Sequence, residues 1–170
     1  MNCPNCGAPL HLEDGRESAA CEYCKAVYVP AQNREGVRVF DQPSELACPV
    51  CQVPLRHATL ARQRILYCTH CEGSLIPMPV FVVLVHALRA QRGEAVDIAP
   101  PPEPHQLDRA TLCPQCGRRM DTHFYGGGGN VVIDDCSRCE LNWLDAGELM
   151  AITHAPDHSL DYRPPPEYQQ

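Results

Sequence analysis

The chain has little of what ordinary folds and nucleic-acid binders rely on. Lysine occurs once, at Lys25. Leu, Ile, Val and Phe together number 36 in 170 residues, just above the level at which chains fail to build a core. A single apolar interior of ordinary size is therefore not expected. The longest apolar run, Val80 to Val85, falls far short of the roughly 20 residues that cross a bilayer. Met1-Asn2-Cys3-Pro4-Asn5-Cys6 shows neither a basic start nor an apolar stretch, so no signal peptide and a cytoplasmic location are expected. Disulfide frameworks are rare in that reducing compartment.

Cysteine, by contrast, is abundant. The 12 cysteines form six Cys-x-x-Cys pairs: 3/6, 21/24, 48/51, 68/71, 113/116 and 136/139. One such pair puts two sulfurs on a tight turn, and two pairs complete four thiolates around a tetrahedral ion with no open position. Six pairs can combine in many ways, but their flanks alternate. Cys3-Pro4, Cys48-Pro49 and Cys113-Pro114 carry proline, whereas Cys21-Glu22, Cys68-Thr69 and Cys136-Ser137 do not. One unit is thus written three times, which favours sequential pairing. The expected ligand sets are Cys3, Cys6, Cys21 and Cys24; Cys48, Cys51, Cys68 and Cys71; and Cys113, Cys116, Cys136 and Cys139. Three Zn²⁺ are the expected cofactors; four-thiolate sites also accept iron, and paired cysteines could act as dithiols. Each structural zinc contributes on the order of 10–16 kcal/mol at neutral pH, so each module should unfold without metal.

These patterns predict a small, metal-stabilised, mainly β fold with short helices: three tandem zinc ribbons joined by Pro-containing linkers. Ribbon 1 covers residues 1–30, with Leu10, Leu12, Val27 and Val29 as its apolar contacts. Residues 31–43 form a connector in which Gly36 to Phe40 could be a short strand. Ribbon 2 covers 44–92, with hairpin strands from Pro54 to Leu60 and Arg64 to Tyr67. Its end, Pro77-Met78-Pro79 followed by Val80 to Arg89, predicts a helix of three to four turns. A Pro-rich linker spans 93–111, ribbon 3 covers 112–154, and a polar tail follows from 155 to 170. Gly7 and Gly117 follow a second cysteine, where a turn with positive φ favours glycine; Gln52 occupies that place in the middle copy.

In the third module, Cys113-Pro114-Gln115-Cys116, Val132 to Cys139 and Trp143-Leu144-Asp145-Ala146-Gly147-Glu148-Leu149 together resemble the bacterial TFIIB-type zinc-ribbon family. The likeness covers about 40 residues, and Trp-Leu-Asp-x-Gly-Glu is its most specific part. Glu140 and Leu141 stand where the family usually carries two glycines. Cys71 to Pro77 resembles a decayed copy, with Leu75 in the place of the tryptophan. The resemblance implies cysteine-bound zinc and a ribbon fold. It says little about function, because one fold hosts many activities.

Other features have plain readings. Trp143 is expected to pack beside the third ribbon. Asp145 to Glu148 reads as a capping box opening a helix from Ala146 to about Thr153. His70, between Cys68 and Cys71, could compete as a ligand but reads as a surface histidine; His57, His86 and His123 lack ligand-like spacing. The Gly126 to Gly129 tract lacks the Lys-Ser/Thr of a phosphate loop. Pro165-Pro166-Glu167-Tyr168 has the form of a docking peptide but reads as tail.

Formal net charge is −7, and twelve thiolates with three Zn²⁺ make it more negative. Phosphate binding draws on clustered Lys and Arg. Only the second module is basic, with Arg62 and Arg64 near its hairpin tip. Nucleic acid is thus disfavoured as a partner, and a regulatory nucleic-acid binder remains the alternative. Closed zinc sites leave no place for water or substrate, so no enzyme, no small-molecule substrate and no membrane partner are expected. The helix at 79–92 carries apolar residues around most of its circumference. A ribbon covers only one face, so another must meet a neighbouring module, a second copy or a partner. Phe81, Leu84, Val85 and Leu88 are accordingly the candidate residues for an intermodule contact or for partner binding or self-association in a protein–protein adaptor.

Overall fold

The computed structural model describes residues 1–12, 16–92, 104–126 and 130–155. The expected Pro-rich run at 93–103, most of the glycine tip (127–129) and the tail at 156–170 lie outside the described residues. Three very short strands, β1 (His11–Leu12), β2 (Ala19–Ala20) and β3 (Val27–Tyr28), form an antiparallel sheet in the first module. The remaining strands are β4 (Arg38–Ala47), β5 (Pro54–Leu60), β6 (Gln63–Tyr67), β7 (Ser74–Pro77), β8 (Asp121–Phe124), β9 (Val132–Cys136) and β10 (Leu141–Leu144). They make one seven-stranded sheet in the order β4-β5-β6-β7-β10-β9-β8. The mainly β ribbon architecture is as expected; the fusion of ribbons 2 and 3 into one sheet is not a sequence-level expectation.

The fusion has internal symmetry. Leu75 stands four residues after Cys71, and Trp143 stands four residues after Cys139. These equivalent residues face each other where β7 meets β10 in antiparallel register, with Ser74 opposite Leu144 and Ile76 opposite Asn142. Each ribbon thus offers its last strand to the other. The edge that a lone ribbon would expose to unwanted pairing is covered.

The boundaries shift accordingly. The expected edge between connector and second ribbon, at 43/44, falls inside β4, which pairs with β5 across register shifts around Pro43. The expected linker at 93–111 ends early: Pro104–Asp108 is a 3-10 turn, and Thr111 donates to the buried Asp134 carboxylate at 2.9 Å. Between β5 and β6 the turn uses Ala61 (φ 44°) and Arg62 (φ 66°). Two successive positive φ values suit the right-handed twist of a two-residue hairpin.

The apolar segment after β7 forms a helix, α1 (Met78–Gln91), with Pro79 in its first turn. No side chain caps it, but the Met78 N–H donates to the Glu140 carbonyl at 2.8 Å, so ribbon 3 satisfies one of its orphan donors. Phe81, Leu84 and Val85 are buried, and Leu88 packs beside them. Their neighbours include Ile65 and Tyr67 of ribbon 2 and Ile133, Leu144 and Ile152 of ribbon 3. Of the two contacts expected for these four residues, intermodule or intermolecular, the structure shows the first: they fill the interior between two ribbons, because a short ribbon sheet covers only one side of the helix. The outward side of α1 carries Val82 and Val83, both exposed.

The second helix, α2 (Glu148–His154), begins two residues later than expected, with Gly147 at φ 81° as its N-cap. Half of the capping box forms: Glu148 Oε2 accepts the Asp145 N–H at 2.8 Å. The Asp145 side chain turns away to accept the Trp143 indole N–H at 2.9 Å. Glu35, from the segment before β4, accepts the Gly147 N–H at 2.9 Å. At its other end α2 is gripped by α1, where Arg89 donates to the Ile152 carbonyl at 2.9 Å.

The first module has its own small interior of Cys3, Leu10, Ala19, Cys21 and Phe40. Val27 and Val29, expected as its apolar contacts, are exposed; the β4 ring of Phe40 fills that interior in their place. The side chain of Leu12 lies outside the described residues. Glu17 holds this module to the others, accepting the Arg62 N–H at 3.1 Å and pairing with Arg38 at 3.5 Å.

Trp143 is buried among Cys48, Leu55, Cys68 and Leu75 of ribbon 2 and Cys113, Met120 and Cys136 of ribbon 3. It therefore packs between two ribbons rather than beside one. A Cβ added at Gly73 would lie 2.3 Å from Trp143 Cζ2, so only glycine admits the indole there. Gly73→Ala should destabilise the fused sheet by about 1–3 kcal/mol, the usual range for overpacking. Denaturation followed by the fluorescence of Trp143, the one tryptophan in the chain, measures this.

Candidate metal centres

Each site is assembled from two knuckles. In all six, the residue after the second cysteine adopts positive φ: Gly7 (76°), Lys25 (61°), Gln52 (59°), Glu72 (60°), Gly117 (69°) and Glu140 (54°). In five of them its N–H bonds back to the carbonyl of the first cysteine, at 2.8 Å for Gly7 and Gly117, 2.9 Å for Gln52 and Glu72 and 3.0 Å for Lys25. That turn points both sulfurs of a pair to one side. Glycine makes it without strain; the other four residues hold it because the sheet and the facing knuckle leave no alternative path. Glu140 shares the positive φ of its counterparts, but its turn closes one residue earlier, with the Cys139 N–H on the Cys136 carbonyl at 3.1 Å, before Leu141 enters β10.

Sequential pairing holds. The three groups whose sulfurs all lie within 4.8 Å of one another are Cys3, Cys6, Cys21 and Cys24; Cys48, Cys51, Cys68 and Cys71; and Cys113, Cys116, Cys136 and Cys139. Sγ–Sγ distances are 3.6 Å for Cys3–Cys24, 3.5 Å for Cys6–Cys21, 3.6 Å for Cys48–Cys71 and 3.8 Å for Cys116–Cys136. A tetrahedral ion with sulfur bonds of about 2.3 Å requires sulfur–sulfur edges of about 3.8 Å, whereas a disulfide requires about 2.05 Å. The donor sets fit a tetrahedral, thiophilic metal ion, and all twelve cysteines are free thiols. One cysteine of each pair is buried and the other lies nearer the surface.

Local N–H groups prepare two of the outer sulfurs, whereas burial and neighbouring thiols push those of Cys6, Cys71 and Cys139 up. A hydrogen bond from Asn5, with the Ala26 N–H, brings the Cys24 thiol down to about 6. The Arg118 N–H does the same for Cys116, to about 7. Thiolate is the form a metal takes, so these sulfurs bind with less proton release at neutral pH.

Residues 112–155 match the family model of the transcription factor zinc-finger. Over that segment the third module is similar to the TFIIB-type zinc ribbon. No curated protein and no solved structure matches the chain. The TFIIB-type ribbon thus describes one segment, and the other two sites stand on their own geometry.

Around the TFIIB-type ribbon lies a charged cluster that no cysteine pattern foretells. Arg109 pairs with Asp145, with Glu148 at 3.4 Å and with the fully buried Asp134 at 3.7 Å. Thr122 also donates to Asp134, at 2.5 Å. The ring locks residues before the first knuckle to the start of α2. Its signal was the Asp-x-x-Glu pair, whose cationic partner sits 36 residues away from Asp145. Elsewhere, His123 pairs with Asp135 at 2.8 Å across β8 and β9, and His70 reaches a sulfur of the second site. Arg62 is exposed on the β5–β6 turn beside Glu17, and Arg64 lies in β6 opposite Thr59.

Sites 2 and 3 share one interior through Trp143 and Leu75, so loading of one should steady the other. Cys136→Ser should weaken metal binding at site 2 by roughly 5- to 150-fold, the usual span of intersite coupling, with site 1 unchanged. Chelator competition combined with site-resolved thiol protection measures each affinity.

Burial, reinforced by the Asp145 charge, lifts the Glu148 carboxyl to about 7 against the pull of the Asp145 N–H and Arg109. An unfolded glutamate ionises near about 4.3. The folded state therefore holds the proton longer, and this stabilising contribution is full below about 4.3 and lost as pH rises through about 7. Glu148→Gln should gain stability relative to the wild type as pH rises from about 4.3 to about 7 and hold that gain above, measured by chemical denaturation at each pH.

Proposed function

We propose that the chain is a non-enzymatic zinc protein whose three loaded ribbons form a rigid adaptor for other proteins. The observation that carries this reading is the exposed apolar set on the first module: Tyr23 at 87%, Val27 at 64% and Val29 at 51%. Large apolar side chains left in solvent on a small module suit a protein contact. Four thiolates close each centre, which suits structural zinc and leaves no coordination position for a substrate.

The rival reading, a regulatory nucleic-acid binder, needs Arg62 and Arg64 to meet phosphate. Glu17 beside the hairpin turn opposes it, as does the net charge of −7. Binding of the zinc-loaded chain to duplex DNA and to RNA, titrated with salt, separates the two. The adaptor reading expects only weak association, unaffected by Arg62→Ala with Arg64→Ala. It also expects Tyr23→Ser with Val27→Thr to reduce recovery of co-purifying proteins while metal content stays constant. Tight binding that falls steeply with salt and requires both arginines would establish the rival.

A further inference from the structure

In site 2 a side chain from one knuckle reaches a sulfur of the facing knuckle. His70 immediately precedes Cys71 and places Nδ1 3.2 Å from Cys51 Sγ. The residue before the second cysteine of one knuckle thus meets the second cysteine of the opposite knuckle.

The sulfur reached, on Cys51, is partly exposed, whereas Cys48 and Cys68 are buried. The backbone already serves Cys48, where the Cys51 N–H donates to its Sγ at 3.3 Å. His70 offers Cys51 the same service from a side chain. Four thiolates around one divalent ion leave two excess negative charges, and each N–H aimed at sulfur offsets part of that excess. A metal-bound thiolate has lone pairs and no proton, so a ring nitrogen at this distance is favourable only as the protonated nitrogen of its tautomer.

We propose that His70 is a hydrogen-bond donor to the second metal site, its Nδ1–H bonding Cys51 and lowering the reactivity of that sulfur towards electrophiles. The role rests on the metal reading of the four cysteines. It departs from both sequence-level options for His70, competing ligand and bystander on the surface. Groups that contact metal-bound ligands tune a site nearly as strongly as the ligands themselves.

The full chain, loaded with zinc, is alkylated with N-ethylmaleimide and each cysteine is followed by peptide mass spectrometry. His70→Ala removes donor and bulk; His70→Phe removes the donor and keeps the bulk. Both variants should modify Cys51 about tenfold faster than the wild type, the lower end of such effects, while the four cysteines of site 3 keep their rates. Nitrogen-15 spectra of the wild type should show Nδ1 protonated. A wild-type rate in His70→Phe beside a faster one in His70→Ala would reduce His70 to a steric shield and overturn the proposal, as would an unprotonated Nδ1. Unchanged Cys51 rates in both variants of a fully loaded protein overturn this proposal alone. A second site that takes up no zinc overturns the metal reading with it.

Discussion

Four sulfurs on two tight turns are the constraint from which the rest of this structure follows. An ion that demands sulfur edges near 3.8 Å tolerates little drift in the two turns that supply them. Each knuckle must therefore bend through positive φ, even where Lys25, Gln52, Glu72 or Glu140 stands in place of glycine. Strands of two to seven residues in the ribbons would not persist in isolation. Between two anchored knuckles their hydrogen bonds form at little further entropic cost, because the ends are already held.

Metal closure alone would give three independent beads. What joins two of them is the last strand of each, β7 and β10, paired about Leu75 and Trp143. The pairing places the indole over Gly73 and between two clusters of cysteine, so one side chain serves both centres. It also brings α1 onto α2, and each helix end finds carbonyl or N–H partners in the neighbouring ribbon. The first module is attached differently, through Phe40 in its interior and Glu17 at its surface. Its interior is separate from those of the other two, and so is its share of the stability.

The metal ligands and their grouping were legible because cysteine spacing states a local geometric requirement. The hairpin strands β5 and β6 and the existence of α1 were legible for similar reasons, as periodicity and proline placement act within a few residues. Sheet fusion was not, since it depends on two four-residue strands meeting across more than 60 residues of chain, and neither strand carries a mark of its partner. The helix illustrates the divide well. Its apolar circumference announced burial on more than one side, but only the placement of β9, β10 and α2 shows that ribbon 3 supplies the second side. The Arg109 cluster escaped for the same reason: Asp145 and Glu148 satisfy a local capping pattern, and the cation that redirects Asp145 comes from a segment expected to be linker.

Consuming the helix face inside the molecule changes where recognition can occur. Phe81, Leu84 and Val85 cannot serve an outside surface without separating ribbons 2 and 3 and opening the interior that steadies both centres. Recognition at lower energetic cost must use what the folded chain already displays. For the proposed adaptor the first ribbon offers such a surface, because its small interior is complete with Phe40 in position, leaving Tyr23, Val27 and Val29 outside it. A surface mounted on a metal-closed module also loses little conformational freedom on binding, and that preorganisation favours affinity from a small contact area. On the proposed adaptor reading, labour is divided: the fused pair is the stable base, and the separately closed first module presents the face.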